Sequence, residues 1–160
     1  MNVWGALVGG LLGTLVLTTA LSGATELKLT RIDIPFLLGT AFTQDRQRAK
    51  VIGYGLHFLS GLVFALGYYA VFVVIGDASW WLGMLFGLFH ALFAGTALVN
   101  VVLPLIHPRM GTPFSDASTA PLLEAPGFML LNYGRATPVV TIVAHIAYGA
   151  IVAETIRLAG

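Results

Sequence analysis

The sequence predicts an all-α integral membrane protein, a four-helix bundle built as a tandem repeat of two helix–loop–helix units. Two observations set the class. Apolar stretches at about 3–23, 51–76, 80–106 and 138–157 are each long enough to cross roughly 30 Å of hydrocarbon. Only 9% of the 160 residues are charged and 58% are hydrophobic, whereas soluble domains carry about 25% charged residues. A third observation sets the repeat. Gly53, His57, Gly61 and Ala65 on the second stretch match Thr141, His145, Gly149 and Ala153 on the fourth, every pair 88 positions apart. Gly5, Gly9 and Gly13 match Gly83, Gly87 and Ala91 on the first and third stretches, 78 positions apart. An even number of spans per unit makes the two halves parallel, related by an axis along the membrane normal.

The first stretch has no basic residue ahead of it and an apolar run too long for a leader peptide, so it is read as a retained helix. Its glycines at four-residue spacing fall on one helix face, where small residues let backbones approach. The second and third stretches are joined by Gly76-Asp77-Ala78-Ser79, followed by Trp80 and Trp81 as interfacial anchors. The two other connections, 24–50 and 107–137, are longer. They carry Lys28, Arg31, Arg46, Arg48 and Lys50, and then Arg109 and Arg135, seven of the eight basic residues. The positive-inside rule puts both connections in the cytoplasm and both termini outside, in a bacterial-type inner membrane. Ile32 to Leu38 and Pro126 to Leu131 are apolar runs too short to span. They are expected to lie against the bundle as interfacial segments, lids or docking surfaces.

Three histidines fall inside the hydrocarbon. At about 1.5 Å per residue, His57 and His145 lie at one level, about 10 Å in from the connection side, with His90 nearer the midplane or slightly outward. Asn100 falls near the first level, and Thr96 between. An ionisable group in a bilayer faces a bundle, a ligand or a water path, and each must find a partner. One reading is a haem or chlorophyll-type tetrapyrrole ligated by His57, His145 or His90, with Gly53, Gly61 and Gly149 giving clearance to the ring. Another has the imidazoles hydrogen-bonded across the bundle to Asn100, Thr96, Thr141 or backbone carbonyls. A proton or ion path, and a quinone or lipid site, are further readings.

Other chemistry finds little support. The net charge of +1 makes no case for nucleic acid, and the absence of cysteine excludes disulfides and thiolate sites. Zinc is disfavoured by the displaced His90 and the lack of HExxH. Glu26, Asp33, Asp45, Asp116 and Glu124 are placed in connections. Glu154 pairs with Arg157 near the end of the last helix. No paired-carboxylate site, P-loop or nucleophile elbow is present. His107, beside Pro108 and Arg109, is expected at the surface, and Tyr68, Tyr69 and Tyr133 in interfacial belts with the tryptophans.

The run Arg31 to Thr40, with Gly55-Leu56-His57-Phe58 and Gly87-Leu88-Phe89-His90, resembles an uncharacterised bacterial family of small four-helix membrane proteins. That resemblance implies the fold and no activity. The function expected is a non-catalytic accessory or scaffolding subunit of a larger membrane complex, with lipid and other membrane subunits as partners. The alternatives are a cofactor-bearing electron-transfer or pigment-binding subunit and a small transporter or channel.

Overall fold

The computed structural model describes residues 1–110 and 123–160. It is all-α, and four of its helical stretches are long and apolar enough to cross a membrane: Val3–Glu26, Arg46–Ile75, Trp80–Ile106 and Thr137–Leu158. We label them in chain order with the short helices between. Helix α1 is Val3–Glu26, α2 is Ile34–Gly39 and α3 is Arg46–Ile75. Helix α4, Trp80–Phe93, runs through a wide π-helical stretch, Ala94–Val102, into α5, Leu103–Ile106. A 3₁₀ segment, Phe128–Tyr133, precedes α6, Thr137–Leu158.

The ends of the helices have local causes. Helix α3 starts before the apolar run because the Asp45 carboxylate accepts a hydrogen bond from the Arg48 amide at 2.8 Å. That cap draws Arg46, Arg48 and Lys50 into the first helical turns, where long basic side chains can reach toward water. Helix α3 stops at Gly76, whose φ of +79° is open to glycine at little cost. The Asp77 carboxylate then accepts from both the amide and the hydroxyl of Ser79, at 2.8 and 2.9 Å. Pro104 lies just after the π-helical stretch and has no N–H to return to Asn100, a known cause of local helix distortion.

Helix α6 is central, flanked by α1 on one side and α4 on the other, while α1 also packs on α3. Glycine makes these approaches possible. A methyl at Gly5 would lie 2.6 Å from the Thr155 carbonyl oxygen, and one at Gly13 would lie 2.8 Å from the Tyr148 ring. Gly83 and Gly87 stand in the same way against the backbone of Gly149 and His145. Helices α3 and α4 are neighbours in sequence but share almost no backbone contact. Aromatic rings bridge them instead, with Tyr68, Phe72 and Phe86 meeting edge to face at 5.2 to 6.0 Å. Tyr68 is therefore core, 6% exposed, and not part of an interfacial belt. Trp4, Trp80 and Trp81 are exposed at the terminal end of the bundle.

At the opposite end the connections are stitched together. The Arg31 amide donates to the Tyr133 carbonyl at 2.7 Å, the Thr30 and Thr137 hydroxyls pair at 2.7 Å, and Arg31 meets Glu124 at 3.2 Å. Helix α2 is capped by Asp33, whose carboxylate also meets Lys50 at 2.9 Å. It lies tight on α3, because Gly39 and Gly53 face the Ala49 and Pro35 carbonyls with no room for a side chain. His107 is buried at 4% exposure rather than placed at the surface. Its Nε2 donates to the Leu37 carbonyl at 2.9 Å, and its Nδ1 accepts from the Arg109 amide at 3.2 Å. The Arg109 guanidinium adds bonds to the Thr40 and Thr43 carbonyls. Together they clasp α2 to the end of α5. Asp116 lies outside the described residues.

Candidate intramembrane site

A cavity of about 210 Å³ lies inside the bundle toward the connection end, and His57, His90 and His145 all line it. Apolar side chains make up most of the rest of the wall, among them Leu17, Leu21, Val99 and Leu130. The connections supply its floor. Ile32, Ile34, Leu37 and Leu38 come from the first connection and Leu130 from the second. Both short apolar runs therefore close an internal space. Leu130 is held there by an unusual backbone: Met129 and Leu130 have φ of 50° and 63°, a region bulky residues seldom adopt. The π-helical stretch contributes Ala94, Leu98 and Val99, and such widened turns are frequent at functional sites.

His90 and His145 meet ring edge to ring face, with centroids 4.7 Å apart. The sequence places His90 outward of His145 from residue heights alone. The close crossing of α4 on α6 at Gly83/Gly149 and Gly87/His145 instead brings His90 level with the turn that carries Thr141 and His145. The Phe64 ring lies over His90 at 3.9 Å with 33° between planes, and the Tyr68 hydroxyl pairs with His90 Nδ1 at 3.3 Å. His145 Nδ1 lies 2.8 Å from the Thr141 carbonyl. A carbonyl oxygen can only accept, so Nδ1 carries the proton and Nε2 is left as an acceptor. The Tyr148 hydroxyl donates to the Gly61 carbonyl at 2.5 Å, closing the chamber toward α3.

Two polar atoms in this space have no partner among the described residues: His57 Nε2 and Thr141 Oγ1. Thr141 is 2% exposed. A buried hydroxyl or imidazole nitrogen without a hydrogen bond costs about 1–3 kcal/mol, so the pair marks a place that is polar in an otherwise oily wall. Asn100 and Thr96 are not part of it. The Asn100 amide donates to the Thr96 and Gly127 carbonyls at 3.0 and 3.1 Å, tying the π-helical stretch to the second connection. The Thr96 hydroxyl returns to the Leu92 carbonyl at 2.5 Å.

The clearance that Gly53, Gly61 and Gly149 would offer to a large ring is taken by protein. Gly53 faces Pro35, Gly61 faces the Thr14 side chain and Gly149 faces Gly83. At about 210 Å³ the chamber is also smaller than the roughly 300–1,000 Å³ of typical ligand and cofactor sites. A tetrapyrrole does not fit it. Among the described residues no group of three or more His, Asp or Glu side chains is placed to hold a metal ion.

Tyr148, Phe64, Ser60 and Thr14 line the chamber without having been singled out by the sequence. Tyr148 carried a signal, since it follows Thr141 and His145 at helical spacing on one face. Phe64, Ser60 and Thr14 carried none. No family model, curated protein or solved structure matches the chain.

Proposed function

We propose that this chain is a non-catalytic membrane subunit whose bundle binds a small neutral molecule within the bilayer. The chamber carries this reading: three imidazoles and a buried Thr141 hydroxyl, unpartnered among the described residues, face an apolar cavity of about 210 Å³. An engineered apolar cavity of about 150 Å³ accepts benzene, so a molecule of one small ring is the appropriate size. No carboxylate is among the described lining residues.

The wider setting is proposed on independent support. The basic residues gather at the connection end of the bundle, which favours an inner membrane of bacterial type with both termini outside. Within that membrane it is proposed to serve as an accessory subunit of a larger assembly. A tandem duplication would relate α1 to α4 and α3 to α6. The matching glycine and histidine stripes support it. The packing departs from it in one place, since α1 lies against α6 whereas α4 stands away from α3.

The test is saturable binding of 4-methylphenol to the purified protein in lipid nanodiscs. One site per chain is expected, with loss of binding in Thr141→Val and in His145→Phe. Non-saturable partitioning into lipid, unchanged in both variants, would contradict the proposal.

A further inference from the structure

A second space adjoins the chamber. This cavity of about 410 Å³ lies at the outside of the bundle between α3, the end of α2 and α5. It shares Leu38, Ser60, Phe64 and Leu103 with the chamber. Apart from His107 its other walls are apolar, including Leu59, Val63 and Ile106, which are 58%, 61% and 73% exposed. In a membrane these side chains face acyl chains. Aromatic rings bridge α3 and α4 as far as Phe64 on His90 and Phe93, and the second cavity lies beyond them, toward α5. At the level of Ser60 the interior is therefore next to the hydrocarbon, separated from it by a thin shared wall.

The chemistry of the chamber restricts what enters. No charged side chain is among its lining residues, and an unpaired charge would be costly there, so the head of the ligand is neutral. His145 Nε2 is an acceptor, because Nδ1 spends its proton on the Thr141 carbonyl. The ligand therefore presents a hydrogen-bond donor, a part that a neutral O–H can play. The Thr141 hydroxyl beside it can donate in return to the ligand oxygen. A space that suits one small ring, with a long apolar channel attached, fits a molecule with an aromatic head and a hydrocarbon chain.

Resting on the binding reading above, we propose that the natural ligand is a chain-bearing phenol or quinol that enters sideways from the bilayer between α3 and α5. Its hydroxyl-bearing ring sits between His145 and Thr141, and its chain lies in the groove along Leu59, Val63 and Ile106. The chain adds little affinity through water exclusion, since it leaves one hydrocarbon medium for another. It serves to place the ring and to hold it at the mouth of the chamber.

The test uses a 4-alkylphenol with a photoreactive diazirine on the chain, in nanodiscs containing the full-length protein, with labelled residues located by mass spectrometry. Labelling is expected at Leu59, Val63, Ile106 and their neighbours, and excess 4-methylphenol should abolish it. Ser60→Leu, which thickens the shared wall, should cut it about tenfold, equivalent to 1.4 kcal/mol. If 4-methylphenol binds saturably but the chain labels the lipid-facing sides of α1 and α6, the chamber stands and the lateral entrance is refuted. If labelling is diffuse and 4-methylphenol has no saturable site, both proposals fall. The competition measurement uses the unaltered protein, so it decides the question even if Ser60→Leu does not fold.

Discussion

Thr137 and Thr141 are one turn apart on α6 and both are buried, at 0% and 2% exposure, yet replacing each with valine should move stability in opposite directions. The Thr137 hydroxyl pairs with Thr30 at 2.7 Å. Hydrogen bonds between membrane helices average about 0.6 kcal/mol and reach about 1.7, so Thr137→Val should destabilise by about 1 kcal/mol. The Thr141 hydroxyl has no partner among the described residues. Removing an unsatisfied buried group returns about 1 kcal/mol, toward the lower end of the usual penalty. The two variants should therefore differ by about 2 kcal/mol, a factor of some thirty in the folding constant. Reversible unfolding in mixed micelles, followed by far-ultraviolet circular dichroism, measures the difference. Thr141→Val should be the more stable protein and the one that no longer binds 4-methylphenol. A Thr141→Val variant at least 1 kcal/mol less stable than the parent would show that the hydroxyl is already bonded, and would remove the polar half of the site.

Further outcomes are expected elsewhere in the fold. Gly149→Val should separate α4 from α6, because even a methyl there would meet the Gly87 amide at 2.9 Å. Overpacking of this kind costs about 1–3 kcal/mol, and thermal denaturation checks it. Burial pulls His107 below its ordinary value of 6.5, with the nearby Arg109 charge adding to the effect and the Leu37 carbonyl opposing it. A released His107 takes up its proton near pH 6.5 while the clasped one resists. The clasp is thus fully favoured above pH 6.5 and loses ground as pH falls below it. Amide exchange along Phe36–Thr40, corrected for intrinsic rates, should speed up below pH 6.5, and His107→Phe should remove that extra dependence. Protein purified gently from its native membrane should show no stoichiometric Soret or chlorophyll-type band. A band abolished by His57→Ala or His145→Ala would restore the tetrapyrrole reading.

The long helices were legible because a bilayer demands their length and tolerates few charges, conditions any local window of sequence reveals. The start of α3 was less so, since the Asp45 cap outweighs the polarity of Arg46 to Lys50. The site was legible only as a set of residue types. Its geometry depends on how helices rotate and cross, which residue spacing does not encode. His90 reaches His145 because glycines let α4 and α6 cross closely, and that register cannot be read from heights along isolated helices. The same glycines look alike in sequence whether they make room for a ligand or for a backbone. Gly53 and Gly149 proved to be the second kind. His107 misled for a related reason: a polar residue at a helix end looks exposed until the chain folds back, and here α2 covers it.

The most direct test of the chamber is ¹⁵N spectroscopy of the histidine side chains in lipid bilayers, with and without 4-methylphenol. His145 is expected as the Nδ1-protonated tautomer, and its Nε2 resonance should move upfield saturably as the phenol hydroxyl donates to it. That shift should vanish in Thr141→Val. An Nε2-protonated His145, or a resonance unmoved at saturating phenol, would contradict the chamber as a binding site.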